Sequence, residues 1–118
     1  MVVLLADDNR LLLTVLAGVL RLGGHEVLAA DSGEEALRFL SRAGSPDAAI
    51  IDYYMPFVSG EDVARQCRLL EIPFMFISAY DDAGTRRVAR ELGACEYLVK
   101  PTDREELLAA LARCAPNS

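Results

Sequence analysis

The chain has 118 residues, of which 53% are hydrophobic and 25% charged, and its formal net charge is −6. This is the composition of one ordinary globular domain, and the negative charge argues against direct binding to nucleic acid, which requires a basic patch. No apolar run is long enough to cross a bilayer and the start carries no basic signal-peptide region, so we expect a single cytoplasmic domain over residues 1–118 with no membrane contact.

Short apolar runs alternate with segments of helical periodicity along the whole chain. Four of the five runs lack an alternation of polar and apolar residues, which is typical of strands buried on both faces of a parallel sheet. Five strand–helix units in sequence predict an α/β fold with an open five-stranded parallel sheet and helices on both faces. The predicted strands are 2–6, 26–29, 48–51, 74–77 and 96–99, and the predicted helices are 10–22, 33–42, 60–70, 82–92 and 103–114.

Several helices begin at residues that are suited to cap them. Asn9 is a good N-cap for the first helix, which leaves the preceding aspartates free for another role. The pairs Ser32 with Glu35 and Thr102 with Glu105 have the spacing of capping boxes, and they predict the starts of the second and fifth helices.

The first helix is apolar around most of its circumference, since only Arg10, Thr14 and Arg21 form a polar strip. That apolar surface is wider than a single core-facing stripe requires. Either the helix packs against the fifth helix as well as the sheet, or part of it is a docking surface. Exposure of Leu11 or Leu13 would favour docking, whereas burial of both would favour packing.

The cysteines at positions 67, 95 and 114 are odd in number and show no CxxC or Cys/His spacing. This pattern argues against a disulfide framework or a zinc site, and we expect three reduced thiols in a cytosolic protein. Cys67 fits the apolar face of the third helix. The single histidine, His25, lies in a Gly-Gly-His-Glu turn, so a histidine-centred triad is not expected.

Polar side chains stand at the ends of four predicted strands. Asp7 and Asp8 follow the first strand, Asp52 the third, Ser78 the fourth and Lys100 the fifth. The carboxyl ends of parallel strands lie on one edge of the sheet, which is where α/β sheets bind ligands. The spacing therefore predicts one polar site on that edge.

The residue types at this edge indicate phosphoryl chemistry. Three carboxylates placed together repel one another unless a cation joins them, and Mg²⁺ prefers such oxygen ligands. Lys100 adds a compact positive charge and Ser78 a hydroxyl donor, which completes the set needed to position and neutralise a transferring phosphoryl group. Asp52 ends its strand between the other groups and is the predicted nucleophile.

These residues and their neighbours resemble the receiver domain of bacterial two-component response regulators. The matching segments are LLADDN at 4–9, IDYYMPFVSG at 51–60, FISAY at 76–80 and GACEYLVKP at 93–101, in this order. The resemblance implies a flavodoxin-like fold with strand order 2-1-3-4-5. It also implies a phosphorylation-driven switch that catalyses only its own phosphorylation and dephosphorylation, and not an enzyme that acts on an external substrate.

The resemblance assigns a role to each residue at the site. Asp52 would accept a phosphoryl group from the phosphohistidine of a sensor histidine kinase or a histidine phosphotransfer protein. Asp8 and Asp52 would ligate Mg²⁺ directly, Asp7 would act through water, and the backbone carbonyl of Tyr54 would be a further ligand. The donor's helices would dock beside the first helix.

The remaining roles concern the response to phosphorylation. Lys100 and Ser78 would contact the phosphoryl oxygens, Tyr97 would swing inward, and the bond before Pro101 would be cis, an isomer that proline makes accessible. Tyr54 and Tyr80 lie two residues after Asp52 and Ser78, at positions that flank the path of attacking water, so they would modulate hydrolysis.

The fourth helix, fifth strand and fifth helix would form the readout surface, with Arg86, Arg87, Arg90 and Tyr97 as candidate contacts. The partner would be an output domain or, after phosphorylation, a second copy of the chain. The chain itself would be a stand-alone phosphate shuttle or the input domain of a transcription factor, hybrid kinase or RNA-binding antiterminator.

Two other functions are compatible with the fold but fit the residues poorly. A phosphohydrolase with an aspartyl-phosphate intermediate would need a second acid two residues after the nucleophile, where this chain has Tyr54. A flavodoxin-like electron carrier would need a hydroxyl-rich phosphate loop after the first strand, where this chain has Asp-Asp-Asn-Arg.

Overall fold

The computed structural model describes residues 1–42 and 44–115 and confirms the alternation of strands and helices. The predicted and observed bounds of the strands and helices differ by at most two residues. The single domain expected over 1–118 includes a few residues that lie outside the described ranges. No helix within those ranges combines the length and apolar character needed to span a membrane. The elements are β1 Val2–Ala6, α1 Arg10–Leu22, β2 Glu26–Ala30, α2 Gly33–Leu40, β3 Ala48–Asp52, α3 Gly60–Leu69, β4 Phe74–Ser78, α4 Ala83–Leu92, β5 Tyr97–Val99 and α5 Arg104–Cys114.

The five strands form one parallel sheet in the order β2-β1-β3-β4-β5, as the resemblance implies. The sheet separates two apolar layers. Side chains of α1 and α5 pack on one face, and those of α2, α3 and α4 pack on the other. Every residue of β3 and β4 is buried, which explains why these strands show no alternation of polar and apolar residues in the sequence.

The caps of the first two helices agree in part with the prediction. Asn9 caps α1, because its side chain accepts a hydrogen bond from the backbone N–H of Leu12. Ser32 caps α2 by accepting from the N–H of Glu35, but the Glu35 carboxylate accepts from the N–H of Asp31 instead of returning to Ser32. The Ser32–Glu35 pair is thus half of a capping box.

The predicted capping box at the start of α5 is wrong by one residue. Asp103, and not Thr102, caps the helix, and its carboxylate accepts from the N–H of Glu106 at 2.7 Å. An aspartate next to the predicted cap is an equally strong acceptor, and it also places a negative charge at the positive end of the helix.

The two leucines that distinguish the interpretations of α1 differ in exposure. Leu13 is 8% exposed and packs in the core, whereas Leu11 is 78% exposed, and Val15 one turn further along is also exposed. The apolar strip formed by Leu11 and Val15 is therefore not covered by α5, and its exposure favours a docking surface.

The prediction of three reduced thiols is wrong for two of the cysteines. Cys95 and Cys114 are joined in a disulfide with a Cα–Cα distance of 5.4 Å, while Cys67 is a free, buried thiol in the core, as expected. The sequence spacing carried no signal because the end of α5 returns beside the start of β5 only once the βα unit has folded.

Candidate functional site

The three aspartates converge where β1 and β3 end side by side. Ala6 pairs with Ile51 in the parallel ladder, so the residues that follow them, Asp7 and Asp52, lie next to each other. Carboxylate oxygens of Asp7, Asp8 and Asp52 all lie within 4.8 Å of one another. Asp7 and Asp52 are buried and Asp8 is exposed, which leaves the cluster open on one side.

Lys100 faces the two buried aspartates from the end of β5. Its Nζ lies 3.0 Å from Asp7 Oδ2 and 3.4 Å from Asp52 Oδ1. The other oxygen of Asp7 accepts a hydrogen bond from the backbone N–H of Asn9 at 2.9 Å. The peptide bond between Lys100 and Pro101 is cis, as expected. One ammonium group thus lies beside a cluster of three carboxylates.

The ionisation of the site reflects burial and the excess of negative charge. Burial, and then the charge of Asp7, raise the pKa of Asp52 to about 7, and Lys100 offsets only part of this increase. Burial lowers the pKa of Lys100, but the hydrogen bond and charge of Asp7 and the charge of Asp52 outweigh that effect, so its pKa is raised overall. Lys100 therefore remains an ammonium ion.

The cluster fits a hard divalent cation. Buried Asp7 Oδ2 accepts no hydrogen bond of good geometry, although it faces Lys100. Carboxylate oxygens from Asp8 and Asp52 lie within reach of the same point. Mg²⁺ takes oxygen ligands of this type and would offset the charge of Asp7, which after burial is the next cause of the raised pKa of Asp52.

The raised pKa of Asp52 makes a prediction about stability in chelator. The pKa of Asp52 is about 7 in the folded state, against an ordinary value of 3.8. Between these two pH values the folded state holds the Asp52 proton more tightly than the unfolded state, so the carboxyl group weakens the fold progressively as pH rises. Asp52→Asn removes that loss, so it should raise the melting temperature at pH 8 and have a smaller effect at pH 4.

Thermal denaturation in EDTA at both pH values measures the difference. Glu91→Gln removes an equal charge from the exposed surface of α4 and serves as the control. An Asp52→Asn variant whose melting temperature equals that of the wild type at both pH values would contradict the raised pKa of Asp52.

Ser78 lies buried at the end of β4, next to β5. The pairing of Ser78 with Val99, and the hydrogen bond from the N–H of Lys100 to the Ser78 carbonyl at 2.7 Å, hold this residue beside Lys100. Its hydroxyl oxygen accepts from the N–H of Tyr80 at 3.1 Å, which leaves the hydroxyl proton free for another acceptor.

Three tyrosines surround the outer part of the site. The rings of Tyr54 and Tyr80 meet edge to face with centroids 5.0 Å apart, and both side chains are partly exposed. The hydroxyls of Tyr54 and Thr85 lie 3.3 Å apart. The Tyr97 hydroxyl donates to the carbonyl of Tyr80 at 2.7 Å, and the Arg86 guanidinium stacks 4.9 Å from the Tyr97 ring. The tyrosines thus connect the loop after β3, the loop after β4 and strand β5.

The predicted readout arginines all lie on α4. Arg86 forms an ion pair with Asp81 as well as its contact with Tyr97, while Arg87 and Arg90 are exposed. The Arg86 guanidinium therefore borders the Tyr97 ring, and Arg90 lines the same surface pocket as Arg86 and Tyr97.

Two residues near the site were missed in the sequence. A Cβ atom at Gly60 would lie 2.3 Å from the carbonyl oxygen of Asp52, so glycine is required for α3 to begin against the end of β3. Phe57 has a left-handed backbone (φ 66°) and is 95% exposed. A bulky residue in this conformation is uncommon, and no sequence pattern indicates that its ring would be unpacked.

The chain matches known proteins over nearly its whole length. The family model described as response regulator receiver domain matches residues 3–112. Response regulator MprA of Mycobacterium leprae is 36% identical over 111 residues, which are 92% of this chain and 48% of that protein. The chain thus spans about half the length of the curated relatives it matches.

Solved structures give the same result. Chemotaxis protein CheY4 of Vibrio cholerae superposes with a TM-score of 0.88 at 28% identity, covering 96% of this chain and 97% of that one. A response regulator receiver domain protein of Clostridium thermocellum superposes with a TM-score of 0.89 at 30% identity, covering 98% and 94%. With the family match over residues 3–112 and the shared strand order, the chain belongs to the response regulator receiver domains of two-component signalling.

Proposed function

We propose that Asp52 accepts a phosphoryl group from a phosphohistidine on a sensor histidine kinase or histidine phosphotransfer protein, in a Mg²⁺-dependent reaction. The observation that carries the proposal is the convergence of Asp7, Asp8 and Asp52 within 4.8 Å, with Lys100 3.4 Å from Asp52. Asp7 is engaged by the Asn9 N–H and by Lys100 at 3.0 Å. Asp52 makes the longer 3.4 Å contact with Lys100 and is the better candidate for the nucleophile.

In this reaction an Asp52 carboxylate oxygen attacks phosphorus as the bond between phosphorus and the histidine nitrogen breaks. Mg²⁺, held by Asp8 and Asp52 directly, by Asp7 through water and by the Tyr54 carbonyl, would neutralise charge on the phosphoryl oxygens. Lys100 keeps its ion pair with Asp7 and exchanges Asp52 for a phosphoryl oxygen. The domain catalyses its own phosphorylation and no reaction of an external substrate.

The backbone of Tyr80 connects the phosphoryl group to the surface. Ser78 accepts from the Tyr80 N–H and has a free hydroxyl proton, which it would donate to a phosphoryl oxygen. A shift of Ser78 toward the site would pull on Tyr80, whose carbonyl holds the Tyr97 hydroxyl. Release of that hydroxyl would let the Tyr97 ring turn inward, so phosphorylation would shift the population between two states of the α4–β5–α5 surface.

Input and output would use different surfaces. The phosphohistidine donor would dock beside α1, where Leu11 and Val15 are exposed. The α4–β5–α5 surface would contact an output domain or a second copy of the chain. An output domain in the same protein is consistent with relatives about twice as long as this chain. Signalling of this kind would take place in the cytoplasm.

Treatment with acetyl phosphate and Mg²⁺, followed by intact-mass measurement, tests the proposal. We expect the mass to increase by one phosphoryl group with Mg²⁺ present and to stay unchanged when EDTA replaces Mg²⁺. Base or hydroxylamine should remove the added group, as expected for an acyl phosphate. A protein that gains no mass with Mg²⁺ present, or gains it equally in EDTA, would refute the Mg²⁺-dependent mechanism.

The tyrosine pair should make the phosphorylated form long-lived. The Tyr54 and Tyr80 rings lie edge to face beside the site, where they would crowd the approach of water opposite the bond between Asp52 and phosphorus. We expect phospho-Asp52 to decay roughly tenfold faster in the Tyr54→Asn, Tyr80→Glu double variant, which corresponds to about 1.4 kcal/mol in barrier height.

Decay of label after removal of acetyl phosphate measures this rate. Phe57→Asn is the matched control, because it removes an exposed aromatic ring from the same loop as Tyr54. Equal or slower decay in the double variant would show that the rings do not shield the phosphoryl group.

A further inference from the structure

Cys95 and Cys114 form a pair that the phosphoryl-transfer chemistry does not use. Their Cα atoms lie 5.4 Å apart, within the usual range for a disulfide of about 4.4–6.8 Å. Cys95 lies in the exposed loop before β5, and Cys114 is the buried last residue of α5. Cys95 is thus the residue more accessible to a reagent in solution, and Cys114 is the buried one.

The bridge encloses the whole β5–α5 unit, since Cys95 precedes β5 and Cys114 ends α5, 19 residues later. This unit carries Tyr97 and Lys100. Its two ends are also joined by the ion pair between Glu96 and Arg113, and the N–H of Cys95 donates to the carbonyl of Phe74 in β4 at 2.9 Å. A covalent link at this point fixes the end of α5 to the edge of the sheet.

We propose that Cys95 and Cys114 are a reversible thiol–disulfide site, oxidised by a low-molecular-weight disulfide such as glutathione disulfide, that sets the stability of the β5–α5 unit. The effect on signalling rests on the proposed function, because β5 and α5 belong to the proposed readout surface. In a cytosolic protein such a pair is typical of redox sensing and not of permanent cross-linking.

The chemistry balances without a metal or an enzyme. The Cys95 thiolate attacks one sulfur of glutathione disulfide, whose S–S bond breaks and releases one glutathione thiolate. The Cys114 thiolate then attacks the Cys95 sulfur of the mixed disulfide and releases the second. The two protons lost by the cysteines end on the two glutathione thiols. The cysteine pair is oxidised by two electrons, and glutathione disulfide is reduced.

Cys67 provides an internal control. It is fully buried in the layer beneath α3, and burial raises the pKa of its thiol to about 12. Thiolate is the reactive form, so Cys67 should stay reduced under conditions that oxidise the other two cysteines.

The test equilibrates the protein in glutathione buffers from fully reduced to fully oxidised, followed by acid quenching, alkylation and peptide mapping. We expect two thiols at positions 95 and 114 at the reducing end, a peptide pair joined through these residues at the oxidising end, and a Cys67 thiol throughout. The oxidised form should melt about 10 °C higher, because the bridge restricts the unfolded chain. Cys95→Ser and Cys114→Ser should each abolish the shift.

Three results would overturn the proposal: both cysteines still thiols or glutathione adducts in the oxidised buffer, a bridge between two chains, or a bridge that survives the reducing buffer. Labelling by acetyl phosphate in each redox form separates this proposal from the phosphoryl-acceptor function. Label absent from both forms would refute that function and leave the thiol result standing.

Discussion

Asp52→Asn and Asp52→Ala are expected to abolish phosphoryl labelling by acetyl phosphate or by a phosphohistidine donor. Neither side chain offers a carboxylate nucleophile. The asparagine variant should remain folded, because it is nearly isosteric with aspartate and Lys100 retains its 3.0 Å contact with Asp7. Labelling with radioactive acetyl phosphate, with circular dichroism to verify folding, measures the effect.

Asp31→Asn is the matched control for Asp52→Asn. Asp31 directly follows β2 on the same edge of the sheet, but it pairs with Arg10 and lies outside the aspartate cluster. This variant should label like the wild type. Label that persists in Asp52→Asn and maps to Asp7 or Asp8 would assign the nucleophile to another carboxylate.

Asp8→Asn is expected to abolish Mg²⁺-dependent labelling while leaving the fold intact. Asp8 is the exposed member of the cluster, so its substitution disturbs no core packing. The loss follows from charge, because an amide is a weaker ligand for a hard cation than a carboxylate. In EDTA the variant should melt slightly higher than the wild type, since one of three mutually repelling charges is gone.

A titration of labelling against Mg²⁺ concentration measures the effect of Asp8→Asn, and Asp31→Asn again serves as the control. The wild type should label in proportion to bound Mg²⁺, whereas Asp8→Asn should stay unlabelled across the range. An Asp8→Asn variant that labels at the wild-type Mg²⁺ concentration would show that Asp8 does not hold the ion.

Much of the fold and of the candidate site was predictable from sequence because both follow from short-range patterns. Continuous apolar runs such as the one at 48–51 are typical of strands buried on both faces, and parallel strands necessarily bring their carboxyl ends to one edge. That geometry was enough to place Asp7, Asp52 and Lys100 on the same edge of the sheet. The strand order, in contrast, came from the family resemblance and not from the pattern of residues.

The features that were wrong, missed or left open depend on one local choice of cap and otherwise on tertiary contacts. The choice of Asp103 over Thr102 as a cap is a competition between neighbouring acceptors of similar strength. The bridge between Cys95 and Cys114 requires the end of α5 to return to the start of β5. The exposure of Leu11 depends on where α5 lies, and an apolar residue in a helical pattern does not reveal which neighbour covers it.

The sheet that separates the two apolar layers has a consequence for the evolution of this domain. Leu16 and Leu20 of α1 fill one layer, and Val63 and Ala89 of α3 and α4 fill the other, with the strands between them. Substitutions in different layers share no packing partners, so their effects on stability should be nearly additive. Selection could therefore remodel the packing between α1 and α5 without upsetting the packing beneath α3 and α4, and the two faces of the sheet could diverge separately within one fold.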